Sequence, residues 1–136
     1  MQVKRNSGLG RVYDLDSLYA RLNRLYFDNR LSLQIRWSRV QPKRATSAVQ
    51  LGLYCSKTKI ITISKRLDNP RVPLFFLEHV IFHEMLHAVF PAERHKMHTE
   101  RFRKFERMHP DFERAREWEK NSLKILFAPQ QTSLWA

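Results

Sequence analysis

The sequence predicts a compact α+β domain, and three observations predict it. An amphipathic helical pattern opens the chain, three short alternating runs follow, and the second half is helical around one segment that is apolar on nearly every side. With 136 residues the chain suits one domain with one modest core. Residues 1–12 read as a loose basic N-terminal arm, 13–127 as a single domain, and 128–136 as a C-terminal tail.

The elements follow in order. From Asp14, a good N-cap, the residues Leu15, Leu18, Tyr19, Leu22, Leu25 and Tyr26 recur at helical spacing, with an end expected near Asp28 and Asn29. Leu31, Leu33, Ile35 and Trp37 alternate with Ser32, Gln34 and Arg36, as in a half-buried strand. A basic loop follows from Ser38 to Ala45. Val49, Leu51 and Leu53 then alternate with Gln50, Gly52 and Tyr54 to give a second strand, and Lys59 to Ser64 forms a third. The short connection at Cys55–Thr58 favours antiparallel pairing of the last two, so a mainly antiparallel three-stranded sheet is expected.

Residues Pro73 to Phe90 are apolar all round, which marks a buried core helix. Its polar residues are Glu78, His79, His83, Glu84 and His87, and polar groups on a buried helix need partners. Pro91 ends it. His98–Met108 reads as a further helix with Phe102 and Phe105 inward. Pro110 and Asp111 restart the chain as a final helix to about Phe127, with Phe112, Ala115, Trp118, Ser122 and Leu126 along one side.

Composition narrows the function classes. Cys55 is the sole cysteine, which excludes an internal disulfide and a Cys-rich zinc site. No apolar run approaches the roughly 20 residues that span a bilayer. The N-terminus lacks the apolar stretch of a signal peptide, so a cytoplasmic location without membrane contact is expected. The net charge is +12 and unevenly spread: nine Lys and Arg, and no acid, lie between Asp28 and Asp68. A field of one sign attracts polyanions, so the basic 29–67 segment is a candidate DNA contact, with Arg36, Arg39, Lys43 and Arg44 as its candidate residues.

The sharpest signal is HEMLH, residues 83–87. His83 and His87 are one helical turn apart on one face, so both rings can reach one metal ion. Glu84 is rotated about a quarter turn away, where its carboxylate can reach a water at the metal without being a ligand. This is the logic of H-E-x-x-H: two zinc ligands and a general base. Chance would place the pattern in roughly 1.5% of chains of this composition. Its position in the most apolar segment, where polar residues are costly, is what makes it count.

A catalytic zinc takes three protein ligands and keeps one position open. His79 extends the stripe, but histidines at 79, 83 and 87 span about 12 Å along the axis, and one ion with bonds of about 2 Å cannot gather both ends. His79 therefore either backs a ligand or belongs to the core, and the core is the preferred reading. For the third ligand His98 is preferred, since its helix can anchor through Phe102 and Phe105 while His98 points back. A glutamate (Glu100, Glu106, Glu113 or Glu117) and His95 stay open as alternatives. His109 reads as a helix-end residue favoured by the C-terminal dipole. Partners that orient His83 and His87 through their second ring nitrogens are expected, without being identifiable in the sequence.

HEMLHAVF, a short loop and then MHTERF resemble the SprT-like metalloproteases, which pair H-E-x-x-H with a downstream histidine in an H-x-x-x-F setting. Here these are His83, Glu84, His87, His98 and Phe102. LDSLYARLNRLYFDNRLSLQIRWS is similar to the family's opening helix and following strand, and KIITISKRLD to the strand before its active-site helix, so the resemblance covers about residues 14–110. The chain departs in having Thr99 where a glycine is frequent, and in having one cysteine where many relatives carry a four-cysteine ribbon. The resemblance implies a zincin-like domain: an N-terminal helix, a three-stranded sheet, a buried H-E-x-x-H helix, a third-ligand helix and a C-terminal helix. It implies a Zn2+ cofactor on His83, His87 and His98, with Glu84 as general base. It also implies a protein or peptide substrate lying extended along an edge strand, with Tyr54 as one candidate to stabilise an oxyanion. The function expected is a zinc-dependent endopeptidase with DNA-associated proteins as candidate substrates. The alternatives are a basic nucleic-acid-binding module with a non-proteolytic metal site, and a latent protease covered by its C-terminal segment.

Overall fold

A computed structural model of the chain describes residues 8–39, 50–93 and 95–127. Helix α1 spans Leu15–Phe27, with the Asp14 carboxylate accepting from the Asp16 backbone and the Ser17 hydroxyl. It stops where Asp28 and Asn29 take left-handed backbone conformations (φ 56° and 58°), which short polar side chains tolerate. The buried Asn23 side chain then pairs with both the N–H and the C=O of Leu31 and aims the chain into the sheet.

Strands β1 (Gln34–Trp37), β2 (Gly52–Cys55) and β3 (Ile60–Ile63) form a sheet in the order β1-β3-β2. β2 and β3 pair antiparallel, as the tight connection between them requires, while β1 joins β3 in parallel, so the sheet is mixed. Ile35, Trp37, Ile61 and Ile63 are buried, and the intervening Arg36 and Thr62 line the outer face. β2 departs from the expected alternation. Leu53, opposite Thr62, is 49% exposed, and it is Gly52 and Tyr54, opposite Ile63 and Ile61, that share the inner face.

After a 3-10 turn at Lys65–Leu67, α2 spans Leu74–Val89 with Pro73 as its N-cap, and ends at Phe90 before Pro91. Phe76, Leu77, Ile81, Met85 and Leu86 on it are fully buried, because β2, β3, α1 and two later helices surround it. These are α3 (Glu100–Arg107) and α4 (Phe112–Phe127). The Thr99 hydroxyl caps α3 by accepting from the Phe102 N–H. Phe102 is fully buried, whereas Phe105, expected inward, is 44% exposed and lies against the Phe90 ring. Phe112 and Ala115 of α4 are buried, and Trp118 packs on Phe76.

Of the expected arm, residues 8–12 are held to the body: the Asp68 carboxylate accepts from the N–H groups of Arg11, Val12 and the adjoining Tyr13, and the Trp37 indole donates to the Gly8 carbonyl. The rest of the arm, Lys43 and Arg44 of the basic segment, and the tail at 128–136 lie outside the described residues. Among the described residues no helix is long and apolar enough to cross a membrane.

Candidate metal centre

The polar residues of α2 are answered unequally by the fold: His79 Nδ1 is buried without a hydrogen-bond partner. Glu78 pairs with Arg21 of α1 at 2.9 Å. His83 and His87, one turn apart, converge with His98, which stands one residue before the α3 N-cap. One donor atom from each of these three histidines lies within 4.8 Å of the others. The Phe102 ring supports all three, with its centroid 5.0, 4.7 and 4.9 Å from those of His83, His87 and His98.

The donor set fits a metal ion. Nε2 of His83 and Nε2 of His98 are 3.1 Å apart. Two bare imidazole nitrogens at that distance repel unless a proton or a cation lies between them. Two nitrogens bound to one tetrahedral zinc at about 2.0–2.1 Å stand roughly 3.3 Å apart, close to the separation seen. His87 is pushed down to about 4 by burial, with the neighbouring His83 and His98 adding to the shift. Burial lowers His98 in the same way. Both rings are therefore held in the neutral form that a metal ligand needs.

Behind His83 stands Glu106 of α3, whose Oε2 is 2.5 Å from His83 Nδ1. Burial works against charge on both groups, but their mutual attraction prevails, raising His83 and lowering Glu106. His79 is buried, as expected of a core residue, yet its Nε2 stands 3.6 Å from the same Glu106 oxygen. Burial pushes its ring down to about 4.

Glu84 is 6% exposed and lies beside β2. Burial pushes its carboxyl up to about 7, against the pull of His83. A Cβ at Gly52 would come within 2.9 Å of Glu84 Cγ and 3.0 Å of Oε2, so the glycine is what lets the carboxylate sit against the strand. Among the described residues nothing pairs with the outer edge of β2. A cleft of about 530 Å³ opens at the start of β2, with Gln50, Leu51, Gly52, His83, Glu84 and His98 among its lining residues.

The other candidates fall elsewhere. Tyr54 packs against the core and is not among the residues lining the cleft. His95 is exposed in a turn with φ 71°. His109, expected at a charged helix end, is instead 4% exposed, packed at a tilt against Phe82, and accepts at Nδ1 from the Asp111 N–H; burial lowers its pKa. Arg36 and Arg39 are exposed. Sequence reasoning weighed Glu106 only as a ligand and did not single out Gly52. The signal for Glu106 was present in the four-residue spacing of His98, Phe102 and Glu106 along one helical face.

Residues 15–117 match the model of the SprT-like family. Comparison with curated proteins finds no match, and neither does comparison with solved structures.

Proposed function

The chain belongs to the SprT-like family, and from its site we propose that it is a zinc-dependent endopeptidase. The observation that carries this reading is the convergence of three histidine nitrogens beside a buried carboxylate that fronts an open strand edge. His83, His87 and His98 would hold the ion. A bound zinc supplies a Lewis acid for the scissile carbonyl and lowers the pKa of a water.

The chain's own residues do the rest. Glu84 accepts the proton of the attacking water and returns it to the leaving amine nitrogen. The free edge of β2 offers its N–H and C=O groups to an extended substrate, which fixes the peptide bond opposite Glu84. This register depends on Gly52, because a larger residue would push Glu84 from the strand.

The DNA-linked form of the reading has its own support. The described bases of the acid-free segment include Arg36, Arg39, Lys57, Lys59 and Lys65, all exposed. Such a surface fits a polyanion. The test is cleavage of a DNA-binding protein by the zinc-loaded chain, with and without single-stranded DNA, against Glu84→Gln. Cleavage that is lost in the variant while zinc stays bound supports the peptidase. Equal cleavage by the variant refutes the role of Glu84. Dependence on DNA supports the wider reading, and indifference to DNA removes it.

A further inference from the structure

Helix α3 meets the three histidines along one stripe. His98 stands just ahead of its N-terminus, Phe102 lies under the rings, and Glu106 closes the stripe one turn further on. Glu106 is not one of the converging donors. Its carboxylate contacts rings from behind, His83 at 2.5 Å and His79 at 3.6 Å. Burying a carboxylate is costly unless it is paired. Nor does α3 need it as an anchor, since the fully buried Phe102 and the Thr99 cap already dock the helix.

What the carboxylate does follows from imidazole chemistry. A neutral ring carries one proton, on either nitrogen, and the bare nitrogen is the one that binds metal. A carboxylate can accept a proton's hydrogen bond but cannot donate one. In the neutral ring that a metal ligand must be, contact at Nδ1 therefore places the proton there and leaves Nε2 bare. Nε2 is the atom that faces His98 at 3.1 Å.

We propose that Glu106 is the positioning residue of the metal centre: it fixes His83 in its Nδ1–H tautomer, with Nε2 turned toward His87 and His98, and takes no part in ligation. His79 Nε2 stands 3.6 Å from the same carboxylate oxygen, and both residues line the cleft. One helix thus supplies both the third donor and the group that sets the first. The inference rests on the metal-binding half of the proposed function and is independent of proteolysis.

Two measurements test it. The first is 15N NMR of the histidine rings in the zinc-loaded chain. The expected spectrum has His83 protonated at Nδ1, in slow exchange, and metal-bound at Nε2. Binding through Nδ1 overturns the proposal. The second is zinc affinity by chelator competition for the parent, Glu106→Gln and Glu106→Ala. Glu106→Ala is expected to bind about 10–100-fold more weakly. Glu106→Gln, whose amide oxygen still accepts from Nδ1–H, should lose less. An alanine variant that binds as tightly as the parent overturns the proposal and leaves the peptidase reading standing, and so do equal losses in both variants. A parent that takes up no zinc overturns both. Should the alanine variant fail to fold, the NMR tautomer in the parent decides alone.

Discussion

Two sets of histidines lie within reach of α2 and end in opposite states. His83, His87 and His98 turn nitrogens toward one point beside an open cleft. His79 and His109 are 7% and 4% exposed and lie among rings: Phe112 at 5.8 Å from His79, Phe82 at 4.8 Å from His109. Burial lowers the pKa of both members of the second set and of two members of the first. A shifted pKa therefore does not separate a metal site from a packed core. Convergence of lone pairs does, together with a carboxylate that fixes which nitrogen is free.

The largest break in this comparison is His98→Ala. It removes a donor outright, so zinc affinity should fall by more than the ~100-fold that loss of an outer partner can cost, as read by chelator competition. His109→Ala should leave affinity unchanged. If His98→Ala binds zinc as the parent does, another group completes the site and the first set is wrongly drawn. Phe102→Ala comes next, because this fully buried ring supports all three donors. Chemical denaturation should show a loss of about 3–5 kcal/mol, the usual range for truncating a buried aromatic residue. A much smaller loss would mean that α3 is docked by its polar ends.

How much of this was legible follows physical lines. The helices were, because burial on one face imposes a period on the sequence, and α1 begins and ends at the residues its capping chemistry marked. The site was partly legible: His83, Glu84 and His87 share a local spacing, and His98 stood out as a histidine leading into a helix. The parallel pairing of β1 was not, because it is set by tertiary contacts across a long connection. The inner face of β2 was not legible, for a specific reason. Alternation puts the leucines inside, but the inner position at 52 had to be empty for Glu84, and a missing side chain leaves no hydrophobic signal.

Gly52→Ala tests that last point and is the next smaller effect. The added methyl must displace the Glu84 side chain, since its contact at 2.9 Å is below van der Waals distance. Misplacing a catalytic group by about 1 Å can cost up to ~100-fold. Peptide cleavage should therefore fall by about 10–100-fold in kcat/KM while zinc affinity stays at the parent value. A variant that loses zinc in step with activity would place Gly52 in support of the histidines and not of Glu84.

The smallest effect concerns the second set alone. Burial holds His109 below its ordinary value, whereas in the unfolded chain it titrates near 6.5. Between those two values the unfolded state binds the extra proton. The contribution of His109 is thus fully present above about pH 6.5 and is lost as pH falls toward the folded pKa, by at most about 1.4 kcal/mol per pH unit. His109→Phe should sit on the same Phe82 and Tyr26 rings but lose the acceptor for the Asp111 N–H, so it starts lower, by about 1 kcal/mol. Its stability should then decline less steeply than that of the parent as the zinc-free chain is acidified below pH 6.5. Because His109 touches none of the three donors, zinc affinity should not move. Parallel acid limbs for the two proteins would mean that the buried ring is already charged in the fold, and the contrast between the two sets would lose its electrostatic half.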